Sequence, residues 1–274
     1  MNFELHELTI RLKALHSSLL AGYSEEDLHQ LRVTLRRMRS VLRKVALDEA
    51  RALRRELGDL ARATNGARDW DTLVANAQDQ FGPEPLRALL PLLEECRQSA
   101  RAQVYRTLRS HQWRAALARW EDLADITEMA VGCHAIATRE LDSILQRVNA
   151  ASRKAMLRDD PRRWHKLRIA IKELRYTLDS LPHDAGEPLT ARLLDECKSL
   201  QTLLGDWHDT VVHRQLLDEL GARESCDAST SAGMAAQALH QALAATGQDS
   251  LELIKQRLLG GNLALAAEAL AARY

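Results

Sequence analysis

The chain has 274 residues, and its 38 Lys and Arg are balanced by 38 Asp and Glu, so the formal net charge at pH 7 is zero. That balance excludes a protein-wide basic field; any polyanion site must come from charge gathered locally. The four cysteines, Cys96, Cys133, Cys197 and Cys226, stand far apart with no CxxC, which argues against a disulfide framework or a cysteine zinc site and for a reducing compartment.

Ala, Leu, Arg and Glu are abundant while Gly and Pro are sparse, a composition that predicts an all-α chain. Apolar periodicity between breakers predicts helices near 3–20, 25–47, 49–65, 69–80, 84–109 (kinked at Pro91) and 112–128. After Gly132 it predicts helices near 134–157, 161–181, 187–204, 208–220, 231–246 and 249–272, the last interrupted at Gly260–Gly261. The closing "LALAAEALAARY" is amphipathic and reads as a lid on a bundle. Glu4, Glu7 and Arg11 break the N-terminal segment before an apolar run could act as a signal peptide. No uncharged run approaches the roughly 20 residues of a membrane span. The expectation is a soluble cytoplasmic protein without a membrane partner.

The chain repeats internally. His29, Leu31, Arg32, Arg39 and Leu42 recur as His165, Leu167, Arg168, Arg175 and Leu178, at a constant offset of 136 residues, and Arg11 meets Arg147 at that same offset. "LGDLARATNGARDWD" has a looser echo in "LDECKSLQTLLGDWHD". Two four-helix-bundle-like halves are predicted, 1–130 and 131–274, with a boundary near Thr127–Gly132.

The two matching helices carry the chemistry. At about 100° per residue, His29, Arg32, Arg36, Arg39 and Arg43 fall within an arc of about 80°. Leu28, Leu31, Leu35, Met38 and Leu42 fill the adjoining arc. In the second copy His165, Arg168, Lys172 and Arg175 form the stripe beside Trp164, Leu167, Ile171, Leu174 and Leu178. The basic groups thus stand at the shoulder of the core, along a groove between or along packed helices, and not opposite it. Like charges at this spacing repel by a few tenths of a kcal/mol per pair, and partial burial adds to that. A multivalent anion that neutralises them explains the clustering better than solubility does. Arginine's planar fork donates two hydrogen bonds to one phosphate and stays charged.

Around the stripes, Arg11 and Arg147 are candidates to extend the site. Asp69 and Asp209, near predicted helix starts, are candidates to orient a stripe Arg or His from behind, or simply to favour the helix N-terminus. Arg97 and Arg101 are weaker candidates, and Trp70, Trp113, Trp120, Trp164 and Trp207 read as core.

In order along the chain, "LHQLRVTLRRMRSVL", "ARDWDTLV", "ARAQVYRTLRSHQWRAALARW", "WHKLRIAIKELRYTLDSL" and "LQTLLGDWHDTVVHRQLL" resemble a CHAD domain, the conserved histidine α-helical domain, over essentially the full length. The resemblance implies an all-α fold of two four-helix bundles related by pseudo-twofold symmetry, binding of inorganic polyphosphate along a basic surface, and association with polyphosphate granules. Carried over position by position, it implies binding by His29, Arg32, Arg36 and Arg39 and by His165, Arg168, Lys172 and Arg175, with Tyr176 closing the "LRY" ending. Three positions depart from the family pattern. Glu173 replaces a usual basic residue, Asp179 stands where the first copy has Arg43, and His208 stands where Asn is commoner. The second stripe is the less basic.

Hydrolysis of such a ligand would call for clustered carboxylates holding divalent ions, and no acidic cluster accompanies the stripes. His208 and His213 lie about 140° apart on a helix, poor for shared ligation. No catalytic residue, metal or cofactor is expected. Nucleic acid, RNA or DNA read through its backbone, is the rival partner. Against it, aromatics are 4% of residues and none interleaves the stripes. The expectation is a non-enzymatic polyphosphate-binding protein whose affinity strengthens as pH falls from 8 towards 6, through His29 and His165.

Overall fold

The computed structural model describes residues 2–43, 45, 47–127, 137–179, 188–223, 226–227 and 229–260. Among the described residues all regular structure is helical, in eleven segments. They are α1 (Asn2–Ala21), α2 (Glu25–Arg43), α3 (Asp48–Ala63), α4 (Asn65–Phe81), α5 (Pro83–Leu86), α6 (Leu90–Arg109), α7 (His111–Thr127), α8 (Ala137–Met156), α9 (Pro161–Asp179), α10 (Pro188–Gly221) and α11 (Ser231–Leu259). No helix among the described residues is long and apolar enough to cross a membrane.

The two helices that carry the stripes start on side-chain caps. Ser24 Oγ accepts the Asp27 N–H at 3.2 Å, and Glu25, Glu26 and Asp27 put negative charge on the first turn of α2. Asp160 Oδ1 accepts the Arg162 N–H at 2.9 Å, and Pro161 takes the first position of α9, where its missing N–H removes no helical bond.

Several boundaries differ from expectation, each for a local reason. Pro91 does not kink a long helix; it lies in the first turn of α6, and the chain from Pro83 to Leu86 is a separate short segment. The predicted helices 187–204 and 208–220 are one. Leu200, Leu204 and Trp207 keep a single buried face across Gly205, and a lone helical glycine costs only about 1 kcal/mol. The predicted helix 231–246 and the described part of the predicted helix 249–272 are likewise one, because Gly247 serves an approach between helices. A Cβ there would stand 2.7 Å from Thr210 Oγ1 of α10. The α3–α4 break is real, at Thr64 with φ −99° and ψ 0°. The predicted closing segment from 261, with its lid, lies outside the described residues, as do 128–136.

The chain divides into two compact units. Unit 1 is Met1–Gly132 with Asp227–Ala235, and unit 2 is Cys133–Cys226 with Ala236–Tyr274. In unit 1, α1, α2, α3, α6 and α7 surround a core that includes Leu12, Leu31, Leu35, Met38, Leu53, Trp113 and Trp120. In unit 2, α8, α9, α10 and α11 close over Ile144, Trp164, Leu167, Ile171, Leu200, Leu204, Trp207 and Ile254. All five tryptophans are buried. Each such large side chain contributes about 1.5–3 kcal/mol through burial, which is what allows the shoulders of α2 and α9 to hold like charges. In unit 2, Arg257 also clamps the buried Glu196 through two 2.9 Å hydrogen bonds, tying α11 to α10.

Candidate functional site

In unit 1, α2 buries Leu28, Leu31, Leu35, Met38 and Leu42, and this fixes the rotation that sets His29, Arg32, Arg36, Arg39 and Arg43 on the adjoining arc. Arg39 packs directly against α3. Its guanidinium lies against Gly58 of α3, where a Cβ would come within 3.2 Å of Cζ. Its Nε is buried and has no hydrogen-bond partner. Burial lowers its pKa, and Arg62, Arg54 and Arg43 lower it further. Arg54, Gly58 and Arg62 follow one another at four-residue spacing, so α3 frames the Arg39 guanidinium with two more arginines.

Arg32 does something different. Its Nη1 donates to Ala61 O at 3.0 Å, Thr64 Oγ1 at 3.1 Å and Asn65 Oδ1 at 2.6 Å, so it braces the α3–α4 corner. Burial lowers its pKa, Asp69 opposes that, and Arg36 and Arg68 reinforce it. The His29 imidazole is held below its usual pKa, first by burial and then by Arg68 of α4, with smaller effects of Arg36 and Arg32 against Glu26. Arg36 and Arg43 are exposed, and Arg68 and Asp69 are half-buried. Asp69 therefore stands near the stripe, within electrostatic reach of Arg32. The result is a face on which arginines from α2, α3 and α4 outnumber the acids beside them, which are Asp59 paired with Arg62, Asp69 near Arg32 and Glu26 near His29.

In unit 2, α9 buries Trp164, Leu167, Ile171, Leu174 and Leu178, and His165, Arg168, Lys172 and Arg175 lie half-buried beside them. Here charge is mixed. Arg175 Nε donates to Gln201 Oε1 at 2.7 Å, Nη1 donates to Asp179 Oδ2 at 3.1 Å, and its guanidinium stacks 4.5 Å from the ring centre of the exposed Tyr176. A concavity of about 340 Å³ is lined by Arg175, Lys198, Gln201, Gly205, Asp206 and Asp209. Burial raises the Asp206 pKa, and Asp209 raises it further. The His165 ring stands 5.2 Å from that of His208 on α10. Its pKa is lowered by burial, then by His208 and Arg168. Asp209 faces His208, its Oδ1 3.6 Å from His208 Nδ1, and shares the concavity with Arg175 of the stripe.

Four of the arginines picked from the sequence are engaged away from the stripes. Arg11 Nη2 donates to Gln30 Oε1 at 2.7 Å. Gln30 is about 100° around α2 from His29, across the apolar face from the arginines. Arg147 pairs with Glu173 at 3.2 Å, on the corresponding far flank of α9. Neither extends a stripe, because a constant offset preserves helix rotation without saying which flank of the neighbour it meets. Arg101 donates to the buried Asp71 at 2.7 and 3.1 Å and to Glu25 at 2.9 Å, and stacks on Tyr23, whose hydroxyl also donates to Asp71. Burial works to lower the Arg101 pKa, but the contacts with Asp71, Tyr23 and Glu25 together outweigh it and raise it, and burial with Asp71 drives the Tyr23 pKa upward. Arg97 pairs with Glu94 at 2.7 Å and faces Glu25 at 3.6 Å.

Sequence reasoning missed Arg54, Arg62, Arg68 and His208 as members of these faces. The four-residue row Arg54, Gly58, Arg62 was a usable signal; Arg68 and His208 depend on how separate helices meet. Among the described residues, no group of three or more His, Cys, Asp or Glu is placed to hold a metal ion.

The chain is similar to known proteins in both sequence and fold. Two uncharacterized proteins of Mycobacterium tuberculosis, from strains CDC 1551 and H37Rv, are each 29% identical over 204 residues, 70% of this chain and 40% of theirs. The chain thus spans well under half the length of these curated relatives. The crystal structure of the CHAD domain from the plant Ricinus communis superposes with a TM-score of 0.72 at 25% identity, covering 93% of this chain and 88% of that one. The family model of the CHAD domain matches residues 4–218, which take in α2, the α3–α4 corner, α9 and the His208 segment of α10, and the chain belongs to the CHAD domain family.

Proposed function

We propose that the chain binds inorganic polyphosphate without chemically altering it, and that binding recruits it to polyphosphate granules in the cytoplasm. The observation that carries this reading is Arg39. Its guanidinium is seated on Gly58, its Nε is buried and unbonded, and Arg43, Arg54 and Arg62 surround it with like charge. Such an arrangement costs free energy when empty and is relieved by an oxyanion that accepts from several forks at once. A chain of repeating phosphates matches arginines repeated along α2 and α3. Binding rather than hydrolysis suits a face made of permanent cations. Membership of the CHAD domain family, which is associated with polyphosphate binding, supports the same ligand.

A second reading, nucleic-acid binding through the backbone, draws on the exposed Tyr176 with Arg175 stacked on it, a small platform of the kind that accepts a base. The first reading is tested by titrating labelled long-chain polyphosphate with the wild type, Arg36→Gln/Arg39→Gln and Arg11→Gln/Arg147→Gln. Each lost charge-assisted contact is expected to weaken binding about tenfold. The Arg11/Arg147 variant, altered on the far flanks, is expected to bind within about twofold of wild type. Equal weakening in both variants would show that only total charge matters.

A further inference from the structure

Unit 2 holds two imidazoles face to face in a setting unit 1 lacks. His165 of α9 and His208 of α10 have ring centres 5.2 Å apart and planes inclined by 34°. His208 Nδ1 is buried without a hydrogen-bond partner, and so is Arg168 Nε one turn along α9 from His165. Two polar groups close to the His165 ring thus have buried hydrogen-bonding capacity left unused. The charged groups around the pair are Arg168 on α9 and Asp209 on α10, with Asp206 next to Asp209. From α8, Arg147 meets Glu173 on the other flank of α9 and does not face the rings. Unit 1 differs at the matching place. Trp70 and Trp207 are both buried, and the residue that follows is Asp71 in one and His208 in the other. Asp71 is locked between Tyr23 and Arg101, so it has no counterpart role.

Resting on the reading that these faces take a phosphate chain, we propose that His208 is a phosphate-binding residue and that it grips one phosphate together with His165 as a protonated pair. The physical reason is the reversal of sign on binding. In the empty site two imidazolium rings at this distance, beside Arg168, repel one another, and Asp209 can offset only one of them. An oxyanion at the edges of the two rings, accepting from an N–H of each, makes both charges favourable. Binding then draws protons from solvent onto the imidazoles; no bond to phosphorus forms or breaks. Unit 2 becomes a proton-dependent site, different in kind from the permanently charged face of unit 1, and part of its affinity is available only near and below the ordinary imidazole range.

The test is calorimetric titration of the full chain with long-chain polyphosphate between pH 5.5 and 8, in pairs of buffers with different ionisation enthalpies, which reads protons taken up per binding event. Wild type, His208→Asn and His165→Asn are compared, with circular dichroism to establish that each variant is folded. The wild type is expected to take up more protons than either variant, and its affinity to fall more steeply with rising pH, by up to about tenfold per pH unit for each proton linked. The loss of affinity in His208→Asn is expected to be larger at pH 5.5 than at pH 8. Equal proton uptake in wild type and His208→Asn, or a loss in the variant that is the same at every pH, overturns this proposal and leaves polyphosphate binding standing. Absence of binding by wild type at every pH overturns both.

Discussion

At the scale of single residues, His29 and His165 tie the empty protein's stability to pH. Burial and neighbouring positive charge hold both below the ordinary histidine pKa. The unfolded chain therefore takes its protons first, near pH 6.5. Their contribution to stability is complete above that pH and is lost as pH falls through the lower folded-state values. The melting temperature of the ligand-free chain is expected to drop between pH 7.5 and 5.5, and a His29→Asn/His165→Asn variant to drop less. An identical decline in the variant would place the sensitivity elsewhere. The same sign explains why an anion that raises these pKa values should bind more tightly in acid, the behaviour expected from the sequence.

At the scale of helices, stripe residues divide into those that hold the fold and those that face outwards. Arg32 spends Nη1 on three acceptors at the α3–α4 corner, whereas Arg36 is exposed. In urea melts, Arg32→Ala is expected to cost about 1.5–3 kcal/mol, as loss of hydrogen bonds from a charged group does. Arg36→Ala should stay within about 0.5 kcal/mol. Equal effects would mean that the brace contributes nothing. The rotation of α2 and α9, and hence which side chains share an arc, was legible because apolar periodicity alone fixes it. Glycine was harder to read. Gly205 and Gly247 looked like breaks yet lie inside α10 and α11, since a continuous buried face outweighs a modest helix penalty. Gly58 drew no notice, though it makes room for the Arg39 guanidinium. Which flank Arg11 and Arg147 would meet, and that His208 would reach His165, depends on inter-helix packing that spacing along one helix does not encode.

At the scale of the whole chain, a net charge of zero conceals segregation. Unit 1 concentrates arginines from three helices on one face, while unit 2 interleaves its basic groups with Asp179, Asp206 and Asp209. The two units should therefore contribute unequally, the first through permanent charge and the second through protons. The most direct test of polyphosphate as the ligand is a competition titration. Labelled long-chain polyphosphate on the full chain is displaced by unlabelled polyphosphate, single-stranded DNA or duplex DNA across a salt series, since counter-ion release makes any single salt concentration uninformative. The account predicts displacement by polyphosphate at concentrations at least about tenfold lower, in phosphate units, than by either DNA at every salt concentration. Equal displacement by all three would contradict it and make these faces a general basic surface.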